Sequence, residues 1–523
     1  MLTSSPPAVQ VPGRPLRQGA VLAVTCLALA TVMAAMASLN VALPDLARQT
    51  HATQTQQSWI IDAYSLVFAS LLLPAGALGD RFGRRRALLV GLIVFGAGSA
   101  LAVFTTNPDQ LIGLRALLGL GAALIMPATL STITSGFPRA QRARAVSIWS
   151  AVAGASGVLG LLASGTLLEW WTWQSVFWFN VLLSAVALVG TLAFVPESAD
   201  SHPAPLDVVG AILAAAGIAA LVHAVIEAPV DGWSDPVTLG GIGLGLVVLV
   251  GFVVFELRSR HPLLDPRLFT NRRFAAGSLS ITLQFFALFG FIFVMMQYLQ
   301  LVRGDSALTA ALTLLAMPIG MIPASRLSPR LTQRLGERIP WVAGLLALAV
   351  GLGVLAHLDG GSAYWHIAAG LVPLGAGLGL AMPPATTSIT SAVPKSLQNV
   401  GSAVNDLARE LGGALGIAVL GSMLTAGYRD NLHLTGVPPH VAEAAKSSLA
   451  GAAAAGPRVM HQAQDAFVTG LHTSLHGGAI TAVVTAIAVA VLLRRRRTSG
   501  DRTPCLAPAE PVPRGGRDRT DAA

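Results

Sequence analysis

Six ionisable side chains sit in stretches otherwise too apolar to hold them: Asp62, Arg115, Glu227, Asp406, Arg409 and Glu410. A charge at the depth of lipid tails costs on the order of 2.5–3.5 kcal/mol, so it persists where it is paired or where it works. A carboxyl group there binds and releases protons, and a guanidinium makes an ion pair or a gate. Asp62 and Arg115 each lie some five residues from the same end of their apolar runs, roughly 7 Å deep at a rise of 1.5 Å per residue. Equal depth allows a pair that protonation of Asp62 would break. The competing readings are a static structural pair, or a carboxylate capping its helix in the headgroup zone. Asp406 and Glu410, four apart, share a helix face beside Arg409. They are candidates for an inner gate with Arg81 or Arg144, or else form a snorkelling interfacial cluster. Glu227 ends its run and reads as interfacial.

The remaining chemistry is sparse. No His-Glu metal motif, phosphate loop of the Walker type or metal-ligand spacing of Cys and His occurs, so a metal, a cofactor, ATP-driven pumping and an enzyme are not expected. Met33, Met36, Met126 and Met382, with Phe285 and Phe286, are candidates to line a pliable pocket for flat lipophilic compounds. The plain alternative is packing or lipid contact. Trp170, Trp171, Trp173 and Trp178 read as an aromatic belt around one loop.

These residues need elements to hold them, and composition says which. The 523 residues are 53% hydrophobic and 11% charged, with a mean hydropathy of +0.65. Soluble domains carry about 25% charge, so most of this chain must avoid water. Fourteen runs long enough to span a bilayer fall near 19–43, 57–79, 87–105, 110–134, 145–168, 175–195, 207–227, 237–257, 274–300, 307–326, 339–357, 364–391, 400–427 and 470–493. The net charge of +9 is concentrated in alternate connections: Arg81, Arg84, Arg85 and Arg86; Arg139, Arg142 and Arg144; Arg326, Arg330, Arg334 and Arg338; and Arg494–Arg497. The opposite connections hold Arg48, Arg303, Arg429, Lys446 and Arg458, the last three in one long loop. The positive-inside rule then places both termini in the cytoplasm and accounts for the basic charge without nucleic acid. The first run is too long for a cleavable leader core. The loop at 428–468 is expected outside, with a short surface helix, and the tail from Thr498 is expected to be disordered.

The runs repeat. Gly119-Leu-Gly-Ala-Ala-Leu-Ile-Met-Pro127 matches Gly375-Ala-Gly-Leu-Gly-Leu-Ala-Met-Pro383, 256 residues later. Arg81-Phe-Gly83 matches Arg334-Leu-Gly336, 253 residues later. One order and nearly one offset predict two equivalent six-helix halves with a substrate site between them. The expected organisation is a tail at 1–18, a first half at 19–200, two inserted helices at 201–260, a second half at 261–497 with the external loop 428–468, and a tail at 498–523.

The connection after run 2 reads Gly76-Ala-Leu-Gly-Asp80-Arg81-Phe-Gly83-Arg84-Arg85-Arg86. A tight turn needs glycine, and a carboxylate among arginines can hold one conformation and release it in another. This loop resembles the G-x-L-x-D-R-x-G-R-R loop of the major facilitator superfamily. Leu39-Asn-Val-Ala-Leu-Pro44, Trp59-Ile-Ile-Asp62-Ala-Tyr64, Arg115-Ala-Leu-Leu-Gly119 and Ser402-Ala-Val-Asn405-Asp406-Leu-Ala-Arg409-Glu410 extend the likeness to its fourteen-span drug:proton antiporters, of the quaternary ammonium and methyl viologen resistance type. The resemblance implies an all-α major facilitator fold of fourteen helices, monomeric, in a bacterial inner membrane. It implies Gly76, Asp80, Arg81, Gly83, Arg84 and Arg85 as the gating loop, and export of a small lipophilic or amphipathic drug in exchange for protons. The sequence departs from the pattern at Ala35, where an acidic residue is usual, and at Gly160-Leu161-Leu-Ala-Ser164-Gly165, which lacks the proline of the antiporter motif. These departures keep open a transporter of the same fold that is uncoupled or differently coupled.

Overall fold

The structure, a computed structural model, describes residues 15–199, 207–259, 262, 264–392, 398–434, 437–453 and 456–493. The predicted tails at 1–18 and 498–523 fall outside these residues, apart from the start of the first helix. All regular structure among the described residues is helical. The order is α1 (Pro15–Thr50), α2 (Gln54–Phe82), α3 (Arg84–Phe104), α4 (Pro108–Gly136), α5 (Arg139–Trp170), α6 (Gln174–Phe194), α7 (Val208–Asp231), α8 (Pro236–Arg258), α9 (Arg272–Gln297), α10 (Ala307–Thr313), α11 (Ala316–Leu335), α12 (Arg338–Leu355), α13 (Tyr364–Ser391), α14 (Gln398–Asn431), α15 (Pro439–Ser447), α16 (Leu449–Ala453) and α17 (Pro457–Leu492).

Local chemistry sets the ends. Thr53 accepts from the Gln56 amide while the Gln56 side chain accepts from the Thr53 amide, a reciprocal cap that starts α2. Asn107 before Pro108 and Asp235 before Pro236 start α4 and α8 in the same spirit, a side-chain acceptor followed by a residue with no amide to satisfy. The predicted tenth run is broken at Leu314 and Leu315 into α10 and α11. Pro318 explains the position, because a proline cannot donate to the carbonyl four residues back and crowds it. Twelve segments among the described residues are long and apolar enough to cross a membrane. The other two of the fourteen expected, α2 and α5, include positions outside the described set; they are 29 and 32 residues long.

The predicted repeat recurs as packing. A Cβ at Gly119 would lie 2.5 Å from the Tyr64 carbonyl oxygen, and one at Gly375 would lie 2.0 Å from the Met317 carbonyl oxygen. Gly121 meets the Gly91 carbonyl and the Phe95 amide; Gly377 meets the Gly344 carbonyl and the Leu348 amide. Each partner in the second set is 253 or 256 residues beyond its counterpart, the offsets read from the motifs. Glycine at these crossings lets backbones touch, which replaces the missing hydrophobic drive between helices in lipid. The pairings follow suit: α1 packs on α4, α5 and α6 as α9 packs on α13, α14 and α17, and α3 on α4 and α6 as α12 on α13 and α17.

Helix α8 packs on α7, and its Val237, Leu244, Val247 and Val250 are more than half exposed, as suits a lipid-facing helix. Helix α7 packs on both α2 and α14. The long loop before α17 forms α15 and α16, held down by the Tyr428 hydroxyl donating to the Ala445 carbonyl at 2.5 Å.

Candidate functional site

Helix α2 turns two faces to two different neighbours, which decides what its ionisable residue can touch. Tyr64 and the Ile60 carbonyl face α4, where Arg115 is 1% exposed. Arg115 Nε donates to the Ile60 carbonyl at 2.8 Å, and its guanidinium carbon sits 4.4 Å from the centroid of the Tyr64 ring. Asp62 is two residues from each of these and so points about 200° away from them. It shares a face instead with Ser58, four residues back, whose hydroxyl lies 3.2 Å from where a Cβ of Gly421 on α14 would be, and with Trp59, which contacts α7. Asp62 is fully buried and neither carboxylate oxygen has a hydrogen-bond partner. The expected Asp62–Arg115 pair is therefore not formed here. Asp62 and the groups that hold Arg115 occupy different sides of α2.

The residue that sequence reasoning passed over is Tyr64. Its hydroxyl donates to the Val32 carbonyl on α1 at 3.2 Å, its ring carries Arg115, and Glu410 of α14 lies within electrostatic reach of it. Tyr64 thus joins α1 and α4, bonded to the one and stacked under the buried cation of the other. Its spacing of four from Ile60 puts both on one face of α2, but only the fold shows that Arg115 lies on that face.

On α14, Asp406 pairs with Arg409 at 3.8 Å within its own helix, rather than with Arg81 or Arg144 across the seam. The i,i+3 geometry makes that partner local. Arg409 also lies over the Phe285 ring, 4.6 Å from its centroid, and Phe285 stacks on Phe289 at 5.9 Å. Glu410 is 5% exposed, with Oε2 unpartnered. One turn on, a Cβ at Gly413 would lie 3.2 Å from Phe289 and 3.8 Å from Met36 Cε of α1. Of the pocket candidates, the structure brings Met36 and Phe285 to Phe289, which sequence reasoning missed although it follows Phe285 by one helical turn, and Met382 packs on the same apolar cluster as Phe285. Met33 and Met126 lie in the larger apolar core, and the Phe286 backbone packs against Gly416.

The loop after α2 is tied to the end of α6. Gly83 adopts φ +117°, a conformation open to glycine. Its counterpart Gly336 also has positive φ, at 82°. The Arg84 amide donates to the Ser198 carbonyl at 2.8 Å, the Arg85 guanidinium to the Leu192 carbonyl at 2.8 Å, and Arg86 pairs with Glu197 at 3.6 Å. Gly76 packs on Pro127 and Arg81 lies against Phe82; the Asp80 side chain is outside the described set. Among the described side chains, Glu197 pairs with Arg86 and also accepts from the Arg85 amide at 3.2 Å, and no motif announced it. Replacing Gly83 with alanine forces an L residue into this conformation and drives its Cβ to 2.6 Å from the Glu197 carboxylate. The expected cost is about 1–3 kcal/mol, read as earlier loss of the monodisperse peak when the detergent-solubilised protein is heated.

Among the described residues, hydrogen bonds between α1–α6 and the later helices gather at the face opposite the arginine-rich connections. Gln300 donates to the Val41 carbonyl at 2.8 Å, from a π-helical turn at Tyr298–Val302 that continues α9. Glu169 at the end of α5 accepts from the Ser306 hydroxyl at 2.5 Å and the Leu308 amide at 3.4 Å, at the start of α10. Helix α7 bridges the same end: Glu227 accepts from the Trp59 indole at 3.4 Å, and the Val225 carbonyl accepts from Ser422 of α14 at 2.6 Å. Trp173, expected in an aromatic belt, is instead 1% exposed and packs edge-on against Phe177.

The family model described as Major Facilitator Superfamily matches residues 25–417. The chain is 35% identical over 491 residues to the multidrug efflux pump LfrA of Mycolicibacterium smegmatis, covering 92% of this chain and 97% of that one. It is 33% identical to the methyl viologen resistance protein SmvA of Salmonella typhimurium, over 76% of this chain and 80% of that one. A bacterial homologue of the human lysosomal transporter Spinster superposes with a TM-score of 0.63 at 19% identity, covering 92% and 98% of the two chains, and so shares the fold. With the repeated packing, the buried ionisable residues between the helix sets and these matches in view, the chain belongs to the Major Facilitator Superfamily of multi-pass membrane transporters.

Proposed function

We propose that this protein is a secondary active exporter of small lipophilic or amphipathic drugs, working by alternating access in exchange for protons. The observation that carries the reading is the seam itself. Two helix sets of equivalent packing are clasped at one face by Gln300, Glu169 and α7, while the buried Asp62 shares the α2 face that packs on α14, the helix carrying Asp406, Arg409 and Glu410. A clasp at one face, between two equivalent helix sets that can rock against each other, suits a carrier that opens alternately to two sides. The organisation behind it is a half at 19–200, an inserted pair at 201–260 and a half at 261–497. By charge, the arginine-rich face with both termini is cytoplasmic, so the clasp closes the outside. The drug-export part rests on similarity to LfrA and SmvA, whose names state multidrug efflux and methyl viologen resistance.

The proton is assigned to Asp62, buried with no partner, and to the acidic residues of α14. A second reading, export without proton coupling, is favoured by Ala35, 1% exposed where relatives of the resembled type place an acid. Everted membrane vesicles separate the two. Dye accumulation in the vesicle lumen that starts on energisation and stops on adding a protonophore is the expected result. Accumulation indifferent to the protonophore selects the uncoupled reading, and no accumulation of any lipophilic dye or drug in a broad panel removes the export reading.

A further inference from the structure

Resting on the export reading, we propose that Arg409 is a tethered cation occupying the seat of a cationic substrate, which must displace it to bind. The seat has three parts. The Arg409 guanidinium lies 4.6 Å from the centroid of Phe285, whose other neighbour in the stack is Phe289. The same guanidinium is 3.8 Å from Asp406, a loose contact for an ion pair. Glu410, one residue on and 5% exposed, leaves Oε2 without a partner. An aromatic face beside one weakly engaged and one unsatisfied carboxylate attracts a delocalised cation.

The location fits a substrate. The α14 face carrying Asp406, Arg409 and Glu410 continues at Gly413, where the absence of a side chain leaves Phe289 and Met36 of the opposite helix set as neighbours. The Arg409 and Asp406 side chains remain 27% and 21% exposed, so a ligand can reach them. Arginine cannot leave by losing its proton; it leaves by swinging on its flexible stem. A neutral compound gains nothing from evicting it, whereas a cation takes over its ring and its carboxylates. Arg409 therefore sets how strongly the pocket discriminates between charged and neutral ligands.

The test is a binding cycle on the purified full-length protein in lipid nanodiscs, with tetraphenylphosphonium as the cation and triphenylphosphine oxide as the neutral counterpart. R409Q should bind tetraphenylphosphonium about tenfold more tightly, equivalent to 1.4 kcal/mol, and leave triphenylphosphine oxide unchanged. Phe285→Leu should have little effect in the parent, because the cation gains the ring that Arg409 gives up, and should erase the gain in R409Q. Equal or weaker cation binding by R409Q overturns the proposal. So does a gain that survives Phe285→Leu, which would mean only that a like charge had been removed. R409K, which keeps charge without the planar group, should fall between parent and R409Q; if R409Q does not stay folded, R409K binding no tighter than the parent overturns the proposal. The export reading stands or falls separately, on efflux by the parent protein in vesicles.

Discussion

Asn at position 62 should leave a folded, binding-competent protein whose efflux no longer follows the proton gradient. Asp62 is fully buried with both oxygens unpartnered, and Asn reproduces its shape without a titratable group. An ionised carboxylate in such a place costs several kcal/mol that Asn does not incur, so thermal stability at alkaline pH should rise rather than fall. Gradient-driven efflux should drop at least about tenfold, the effect of 1.4 kcal/mol on an equilibrium. Counterflow of labelled substrate, which needs no net proton movement, should persist. The two assays together protect the inference from a trivial loss of folding. An Asp62→Asn protein that still accelerates efflux on energisation, as the parent does, removes the residue from coupling. In that case Glu410, a buried acid of α14 with Oε2 unpartnered, is the next candidate.

Sequence and structure agree where a single physical rule governs. Apolar length fixed the helices, because lipid offers backbone groups no partner. The glycine motifs carried the repeat, because only glycine permits the backbone approaches seen at Gly119 and Gly375. What stayed hidden depends on rotation about a helix axis. Depth along α2 and α4 can be counted from a run's end; the side of α2 on which Asp62 emerges cannot, until Tyr64 and Ile60 are known to face Arg115. The break at Leu314 and Leu315 followed from Pro318, yet the π-helical turn that aims Gln300 at Val41 has no comparable marker. Glu197 illustrates the same limit. A lone acid after a span looks like any other until folding sets it beside Gly83 and Arg86.

Arg115 poses the sharpest question of cost against use, and its substitutions should divide stability from transport. It is a buried cation with one terminal nitrogen unsatisfied, supported by the Ile60 carbonyl and the Tyr64 ring and by no carboxylate among its described contacts. Such a group is a poor stabiliser, since replacing buried charges by apolar side chains of similar volume is often neutral or favourable by about 1–4 kcal/mol. Arg115→Met should accordingly unfold at the same or a higher temperature than the parent. Arg115→Ala should lose about 2–5 kcal/mol, because it leaves a void at a crossing that α4 packs tightly. Yet both should transport at least about tenfold more slowly, corresponding to 1.4 kcal/mol, because Tyr64 then loses the cation stacked on its ring where α1, α2 and α4 meet. Lysine restores charge without the planar group that stacks on the ring, and should recover only part of the activity. If Arg115→Met is both less stable and fully active, the arginine is a structural strut and its stacking on Tyr64 has no role in transport. If it is stable and slow, the energy spent on keeping a cation there is accounted for by movement between the two sides of the membrane.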